Sequence, residues 1–191
     1  VLAGLRFPSD PSCILPTSVL SLLQCIRIML EKKDHTSDGS VLKNATGDWL
    51  KTNAGYRCAG RCILFDAKWK HVKPTDGPFI DEDFYGATLV SYKQELKAIG
   101  VVVDDLSKTC MLLADFLDSI SDFAAIVRIY NFLKDSEWKP RKDSRRIYLP
   151  SGDNCGIWVN ADECVLHDKN GLFGLQLHVL DKHYKDSLLS F

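Results

Sequence analysis

The spacing of apolar residues changes near residue 144, and this change limits the folds open to the chain. Over 106–120 and 123–133, apolar side chains recur every three or four residues, which is typical of amphipathic helices. Over 146–149 and 157–159 they alternate or run together, which is typical of strands. We therefore predict an α+β fold, with helical layers and an αα-hairpin followed by a small antiparallel sheet.

Capping residues predict where several of these helices begin. Thr17 is the expected N-cap of the first helix, and Asp81 is that of a one-turn helix that Gly86 ends. Ser121 and Asp122 are expected to break the preceding helix and to cap the helix over 123–133. Either Asp104 or Asp105 is expected to cap the helix over 106–120. Further predictions are a helix over 41–50, helical spacing over 89–99, strands at 62–65 and 173–179, and a last helix from Asp181. Residues 101–103 are expected to form either a strand or an extended link.

The domain organisation is predicted as one composite domain cut from a longer chain. Its parts are a helical and irregular region over 1–87, a helical hairpin over 88–140 and a β-rich unit with a C-terminal helix over 141–191. The sequence begins with Val1 and ends within the apolar run 188–191. We read these ends as internal to a larger polypeptide, because an exposed apolar terminus is unfavourable.

The overall charge gives no general attraction to nucleic acid or to an anionic membrane. There are 24 Lys+Arg and 25 Asp+Glu residues, so the net charge is −1, and no apolar run is long enough to span a bilayer. One local imbalance stands out as a candidate interaction surface, formed by Lys139, Arg141, Lys142, Arg145 and Arg146. These residues would bind nucleic acid or act as a nuclear-import signal, or they are the solvated charges of a linker.

Cysteine and histidine spacing raises weaker chemical hypotheses. Cys58 with Cys62, and Cys164 with His167, would suit a structural zinc if the two pairs met; free packed thiols are the alternative. Cys155 or Cys164 as a nucleophile would need a nearby base, and the sequence around them does not resemble a nucleophile elbow. A serine nucleophile at Ser151 is no better supported, because Ser, Gly and Asp at 151–153 are what a turn between strands requires. A metal role for His178 and His183, flanking a strand end, is also disfavoured. No phosphate-binding glycine loop is present.

Seven cysteines at irregular spacing predict an intracellular, reducing environment. Cys25 and Cys110 are expected on apolar helical faces, where a free thiol packs as a small hydrophobe. The tryptophans are widely spaced and adjoin apolar pattern, so they are expected to anchor separate packing layers.

Several long strings of the chain resemble a family. They are Trp49-Leu50-Lys51-Thr52 with Gly55-Tyr56, Ile63-Leu64-Phe65-Asp66, Trp69, Pro78-Phe79-Ile80-Asp81 with Phe84-Tyr85-Gly86, the stretch from Tyr92 to Val101, Ile147-Tyr148-Leu149-Pro150-Ser151-Gly152, Trp158-Val159, and Glu163-Cys164-Val165-Leu166-His167-Asp168. Together they resemble a region of the large plant sacsin-like proteins of the NO VEIN type. The resemblance covers about residues 17–191. Those proteins carry, in a separate domain, an ATPase similar to gyrase B, histidine kinases and heat-shock chaperones (GHKL).

The resemblance implies a non-ATPase segment of a chaperone-like or scaffold protein, in the nucleus or cytoplasm. The Asp-x-Gly-x-Gly loop of the GHKL ATPases does not occur in the sequence, so no ATP-binding residue is carried over. We expect a non-catalytic structural or protein-interaction module without cofactor or metal, whose partners are proteins or neighbouring domains of the parent chain. The alternatives are a nucleic-acid-associated module that uses the 139–146 cluster, and a cryptic hydrolase or nucleotide-binding domain with His167 beside Cys164 or Asp168.

Overall fold

The computed structural model describes residues 10–32, 47–139, 146–151, 156–173, 176–180 and Tyr184. The chain divides into two compact units. Unit 1 comprises Val1–Lys68 and Lys73–Leu112, and unit 2 comprises Trp69–Val72 and Leu113–Phe191. The described chain up to residue 135 is mostly helical and holds one two-stranded sheet, and two more such sheets follow, so the predicted α+β class is confirmed.

The helices are α1 (Pro16–Glu31), α2 (Glu82–Tyr85), α3 (Lys93–Ala98), α4 (Leu106–Phe116) and α5 (Phe123–Asp135). The strands are β1 (Leu50–Thr52), β2 (Gly55–Arg57), β3 (Arg146–Pro150), β4 (Gly156–Asn160), β5 (Cys164–Val165) and β6 (His178–Val179). Strands β1 and β2 pair antiparallel, as do β3 and β4. The pair β5–β6 is parallel, which the alternating pattern did not predict.

In unit 1, the buried face of α1 packs into a core shared with the irregular segments that follow it. Val19, Leu23 and Ile26 form that face, and Trp49 and Leu50 are buried in the same cluster. Leu64, Ile80, Tyr85, Leu89, Leu96, Ile99, Val101 and Val103 complete it. The irregular segments are linked by backbone pairing, because Ile63 bridges to both Phe79 and Val102. The long 51–78 region is thus held by single bridges more than by continuous strands.

In unit 2, helix α5 packs on strand β3 through aromatic side chains. The rings of Phe123 and Tyr148 stack with centroids 6.3 Å apart, and Tyr184 meets Phe123 edge-on at 5.2 Å. The hydroxyl of Tyr184 donates to the carbonyl of Tyr148 at 2.5 Å, and that of Tyr130 donates to the carbonyl of Arg146 at 3.4 Å. Each buried tyrosine therefore keeps a hydrogen-bond partner, as burial of a hydroxyl requires.

Most of the predicted caps are confirmed. The Asp81 carboxylate accepts from the amide of Phe84, that of Asp105 from the amide of Lys108, and that of Asp122 from the amide of Ala124. Gly86 ends α2 with a φ of 84°. Thr17 is not a cap: α1 begins one residue earlier at Pro16, whose fixed φ suits a first helical position, and Leu15 precedes it without a side-chain cap.

Several predicted elements are shorter or different. The end of the helix predicted over 41–50 is wrong, because Leu50 begins strand β1; residues 41–46 lie outside the described residues. The predicted strand at 62–65 is reduced to isolated bridges at Ile63. Of the strand predicted over 173–179, residues 174 and 175 lie outside the described residues, and the part described as a strand is His178–Val179. The helical spacing over 89–99 is divided between a 3₁₀ segment, Ala87–Tyr92, and α3. Of the predicted last helix, Tyr184 alone is described as helical.

Candidate interaction surfaces

The predicted basic cluster is described only at its two ends. Lys139 is exposed, and Arg146 begins strand β3; Arg141, Lys142 and Arg145 lie outside the described residues. The Nη1 of Arg146 lies 3.4 Å from both carboxylate oxygens of Asp118, and its guanidinium lies 6.0 Å from the centre of the Trp158 ring. Arg146 therefore has partners within unit 2, although an exposed ion pair of this kind stabilises the fold by at most about 1 kcal/mol.

Lys139 emerges from a sharp turn at the end of α5. The amide of Ser136 donates to Phe132 O at 3.0 Å, and that of Trp138 reaches back five residues to Leu133 O, also at 3.0 Å. This six-to-one bond is the mark of a Schellman turn, which needs a left-handed residue just before its last donor. Glu137 fills that position with a φ of 52°. Lys139 follows directly after this turn.

The segment Trp69–Val72 lies against the same end of α5, within unit 2. The Trp69 ring meets Phe132 edge-on with centroids 5.8 Å apart, and Val72 is buried. His71 Nε2 lies 2.9 Å from a carboxylate oxygen of Asp135, and His71 has a φ of 74°. This segment was not among the sites predicted from the sequence. The signal that could have found it is the mixture of basic residues with Trp69 and Val72 over 68–73.

A second surface is a loop that Asp168 organises. One carboxylate oxygen of Asp168 accepts from the amide of Leu172 at 2.9 Å, and the other accepts from the amide of Phe173 at 3.0 Å. Gly171 closes the loop with a φ of 65°. The loop holds Leu172 70% exposed and Phe173 45% exposed. Two large apolar side chains are thus displayed on a backbone that is already fixed by hydrogen bonds.

The cysteines of the zinc hypothesis have other roles. Cys62 is buried, its Sγ lies 3.3 Å from the carbonyl of Cys58, and burial raises the pKa of its thiol to about 12. Burial also raises the pKa of Cys164, whose Sγ lies 3.4 Å from Asn160 O. A thiol that acts as a nucleophile needs the opposite shift. His167 is exposed.

Among the described residues, no three His, Cys, Asp or Glu side chains lie close enough together to hold a metal ion. The two pairs of the zinc hypothesis belong to different units. Ser151 and His178 are exposed, whereas residues 152–155, which include Cys155, and His183 lie outside the described residues.

An ion pair in unit 1 ties α1 to the start of α3. Arg27 Nε donates to Glu95 Oε1 at 2.6 Å, and Arg27 Nη2 donates to the carbonyl of Ser91 at 2.5 Å. The guanidinium lies 4.3 Å from the centre of the Tyr92 ring. Burial acts to raise the pKa of Glu95, but the hydrogen bonds and the charge of Arg27 outweigh it and leave that pKa below its usual value. The cluster joins two helices and is structural.

Comparison with known proteins adds no relative to these observations. No protein-family model, no curated protein and no solved structure matches the chain. None of the helices in the described ranges is both long enough and apolar enough to cross a membrane. The resemblance to the plant sacsin-like proteins therefore stays a prediction from the sequence.

Proposed function

We propose that this chain is a non-catalytic structural or protein-interaction module. The loop over 168–173 carries the proposal. Its backbone is held by two hydrogen bonds to Asp168, and Leu172 and Phe173 are exposed on it. A preorganised loop loses less conformational entropy on binding, and aromatic side chains such as Phe are enriched at protein interfaces.

The roles of the acidic residues support the same proposal. Asp81, Asp105 and Asp122 each accept a backbone hydrogen bond at a helix start, and Asp168 accepts two in its loop. Carboxylates used in this way hold the backbone and are poorly placed to act on a substrate. By the sequence resemblance, the partners would be proteins or neighbouring domains of a sacsin-like parent chain, in the nucleus or cytoplasm.

A nucleic-acid-associated module is the alternative, and the exposed Lys139 at the start of the basic cluster favours it. Phosphate contacts would make such binding fall steeply as salt is raised. A cryptic hydrolase or nucleotide-binding domain is less favoured, because the pKa of the Cys164 thiol is raised and the Asp168 carboxylate is taken up by backbone amides.

The test compares two double variants by affinity capture from a cell extract, with quantification by mass spectrometry. Leu172→Ser with Phe173→Ser alters the displayed loop. Leu106→Ser with Met111→Ser, at side chains 48% and 43% exposed on α4, is the matched control. We expect the loop variant to retain about tenfold less of the proteins that the wild type captures. Loss of about 1.4 kcal/mol of binding free energy on removal of the two apolar side chains would weaken affinity by that factor.

The control variant should retain those proteins at the wild-type level. Equal capture by the wild type and the loop variant would contradict the proposal. So would nucleotide hydrolysis by the purified chain.

A further inference from the structure

We propose that the end of α5 is a docking surface for a short acidic peptide segment that also carries apolar side chains. We name it the α5-end surface and define it by Trp69, Lys70, His71, Lys134, Trp138 and Lys139. The inference rests on the proposed function, because it assigns a class of partner to an interaction module. It concerns a surface separate in sequence from the displayed loop over 168–173.

Three contacts bring these residues to the last turn of α5. The Trp69 ring packs on Phe132, and His71 bonds to Asp135 at 2.9 Å. The amide of Trp138 returns to Leu133 O through the Schellman turn. Every anchor lies within residues 132–135, which span about one helical turn. Residues far apart in sequence therefore share one small region of unit 2.

The side chains of this region divide into half-buried tryptophans and exposed cations. Trp69 and Trp138 are each only partly buried, whereas the basic side chains are exposed: Lys70, His71, Lys134 and Lys139. Tryptophan is enriched among the residues that dominate interface energies, since it combines a large apolar area with a polar N–H. Half-buried tryptophans and exposed cations in one short stretch of unit 2 fit an anionic partner that also offers apolar groups.

Backbone strain is concentrated at the same place. In the described part of the chain, His71, Asp104 and Glu137 are the residues other than glycine with positive φ. Of these three, His71 belongs to the α5-end surface, and Glu137 directly precedes Trp138, which also belongs to it. Such conformations cost energy and persist where the surrounding structure enforces them, often at binding sites. Here the Asp135 carboxylate holds His71 and the Schellman turn holds Glu137.

The distribution of charge favours an acidic peptide over a nucleic acid. Two carboxylates, Asp135 and Glu137, lie among the four basic side chains, and Asp135 is bonded to His71. A nucleic acid presents phosphates at close, regular intervals and would bring some of them against Glu137. A peptide can place its few carboxylates beside Lys70 and Lys139 and its apolar side chains against the tryptophans.

The test measures binding of a fluorescein-labelled 12-residue peptide of alternating Glu and Leu by anisotropy, at low salt. The variant is Lys70→Glu with Lys139→Glu, at two exposed positions. The control is Lys32→Glu with Lys97→Glu, which changes the net charge equally at exposed positions in unit 1. We expect the first variant to bind at least tenfold more weakly than the wild type, and the control to stay within twofold of it. Far-ultraviolet circular dichroism verifies that both variants are folded.

Equal weakening by the two variants, or no binding to the wild type, would overturn the inference. Tighter binding of a single-stranded DNA of the same net charge would also overturn it, in favour of nucleic acid. If K70E/K139E loses peptide binding but still captures proteins from the extract at the wild-type level, the peptide and those proteins bind to two separate surfaces. If the wild type captures proteins through Leu172 and Phe173 but does not bind the peptide, this inference alone is rejected. If Leu172→Ser with Phe173→Ser captures as much as the wild type, the proposed function is rejected.

Discussion

At the scale of single residues, Gly156 is required by the ring of Tyr148, which lies across the β3–β4 hairpin. A Cβ at position 156 would overlap with Tyr148 Cζ and would lie 2.5 Å from the backbone oxygen of Leu149. We expect Gly156→Ala to lower the free energy of unfolding by about 1–3 kcal/mol, the usual cost of overpacking. Urea unfolding measures it. Gly60→Ala is the control, since nothing lies within 4 Å of its added Cβ; an equal loss in both variants would contradict this explanation.

The Arg27–Glu95 pair predicts how stability depends on pH. The pKa of Glu95 is lowered from 4.5 in the folded state, so its contribution is present above the unfolded value and is lost as the pH falls through the folded value. We expect Glu95→Gln to lower the free energy of unfolding by about 1–3 kcal/mol at pH 7, because it removes a charge-assisted hydrogen bond from a buried site. The difference from the wild type should shrink as the pH falls below 4.5 and through the lowered pKa of the folded state.

Urea unfolding at pH 7 and pH 3 checks this expectation. Asp115→Asn, at an exposed carboxylate on α4, serves as the control and should change little at either pH. A Glu95→Gln deficit as large at pH 3 as at pH 7 would show that shape, and not charge, is what the site needs.

At the scale of elements, the predicted N-caps of α1 and α5 differ, because only that of α5 forms a side-chain hydrogen bond. Asp122 accepts from the amide of Ala124 at 2.9 Å, whereas Thr17 lies inside α1 and caps nothing. We expect Asp122→Ala to destabilise the chain by about 1 kcal/mol, as removal of an N-cap does. Thr17→Ala should change stability by less than half of that. Thermal unfolding followed at 222 nm compares the two, and a larger effect at Thr17 would reverse the assignment.

These elements also show how much of the fold could be predicted from the sequence. Helix starts at Asp81, Asp105 and Asp122 were predictable, because a cap depends on residues two or three positions away. Strand β1 was not, because Leu50 and Thr52 become extended through partners such as Ile80 that are distant in sequence. The same holds for the candidate site: the cluster was visible at Lys139 and Arg146, but the contact of His71 with Asp135 joins positions 64 residues apart.

At the scale of the whole molecule, the described cysteines differ in how far their side chains are buried. Cys13 and Cys25 are exposed, whereas Cys62 and Cys110 are buried. Cys25 was expected on an apolar face and lies outside it, because the stripe of Val19, Leu23 and Ile26 leaves position 25 toward solvent. Burial also raises the pKa of Cys62 to about 12, so almost no thiolate is present at pH 8.

These differences in burial predict the order in which four of the thiols react with a labelling reagent. With iodoacetamide at pH 8, we expect Cys13 and Cys25 to be alkylated in the folded state, and Cys62 and Cys110 only after unfolding in urea, because the reaction needs both access and thiolate. Peptide mapping by mass spectrometry assigns each site. Since Cys62 belongs to the core of unit 1, its labelling should follow the unfolding of that core. Rapid alkylation of Cys62 in the folded protein would be incompatible with the packing described for unit 1.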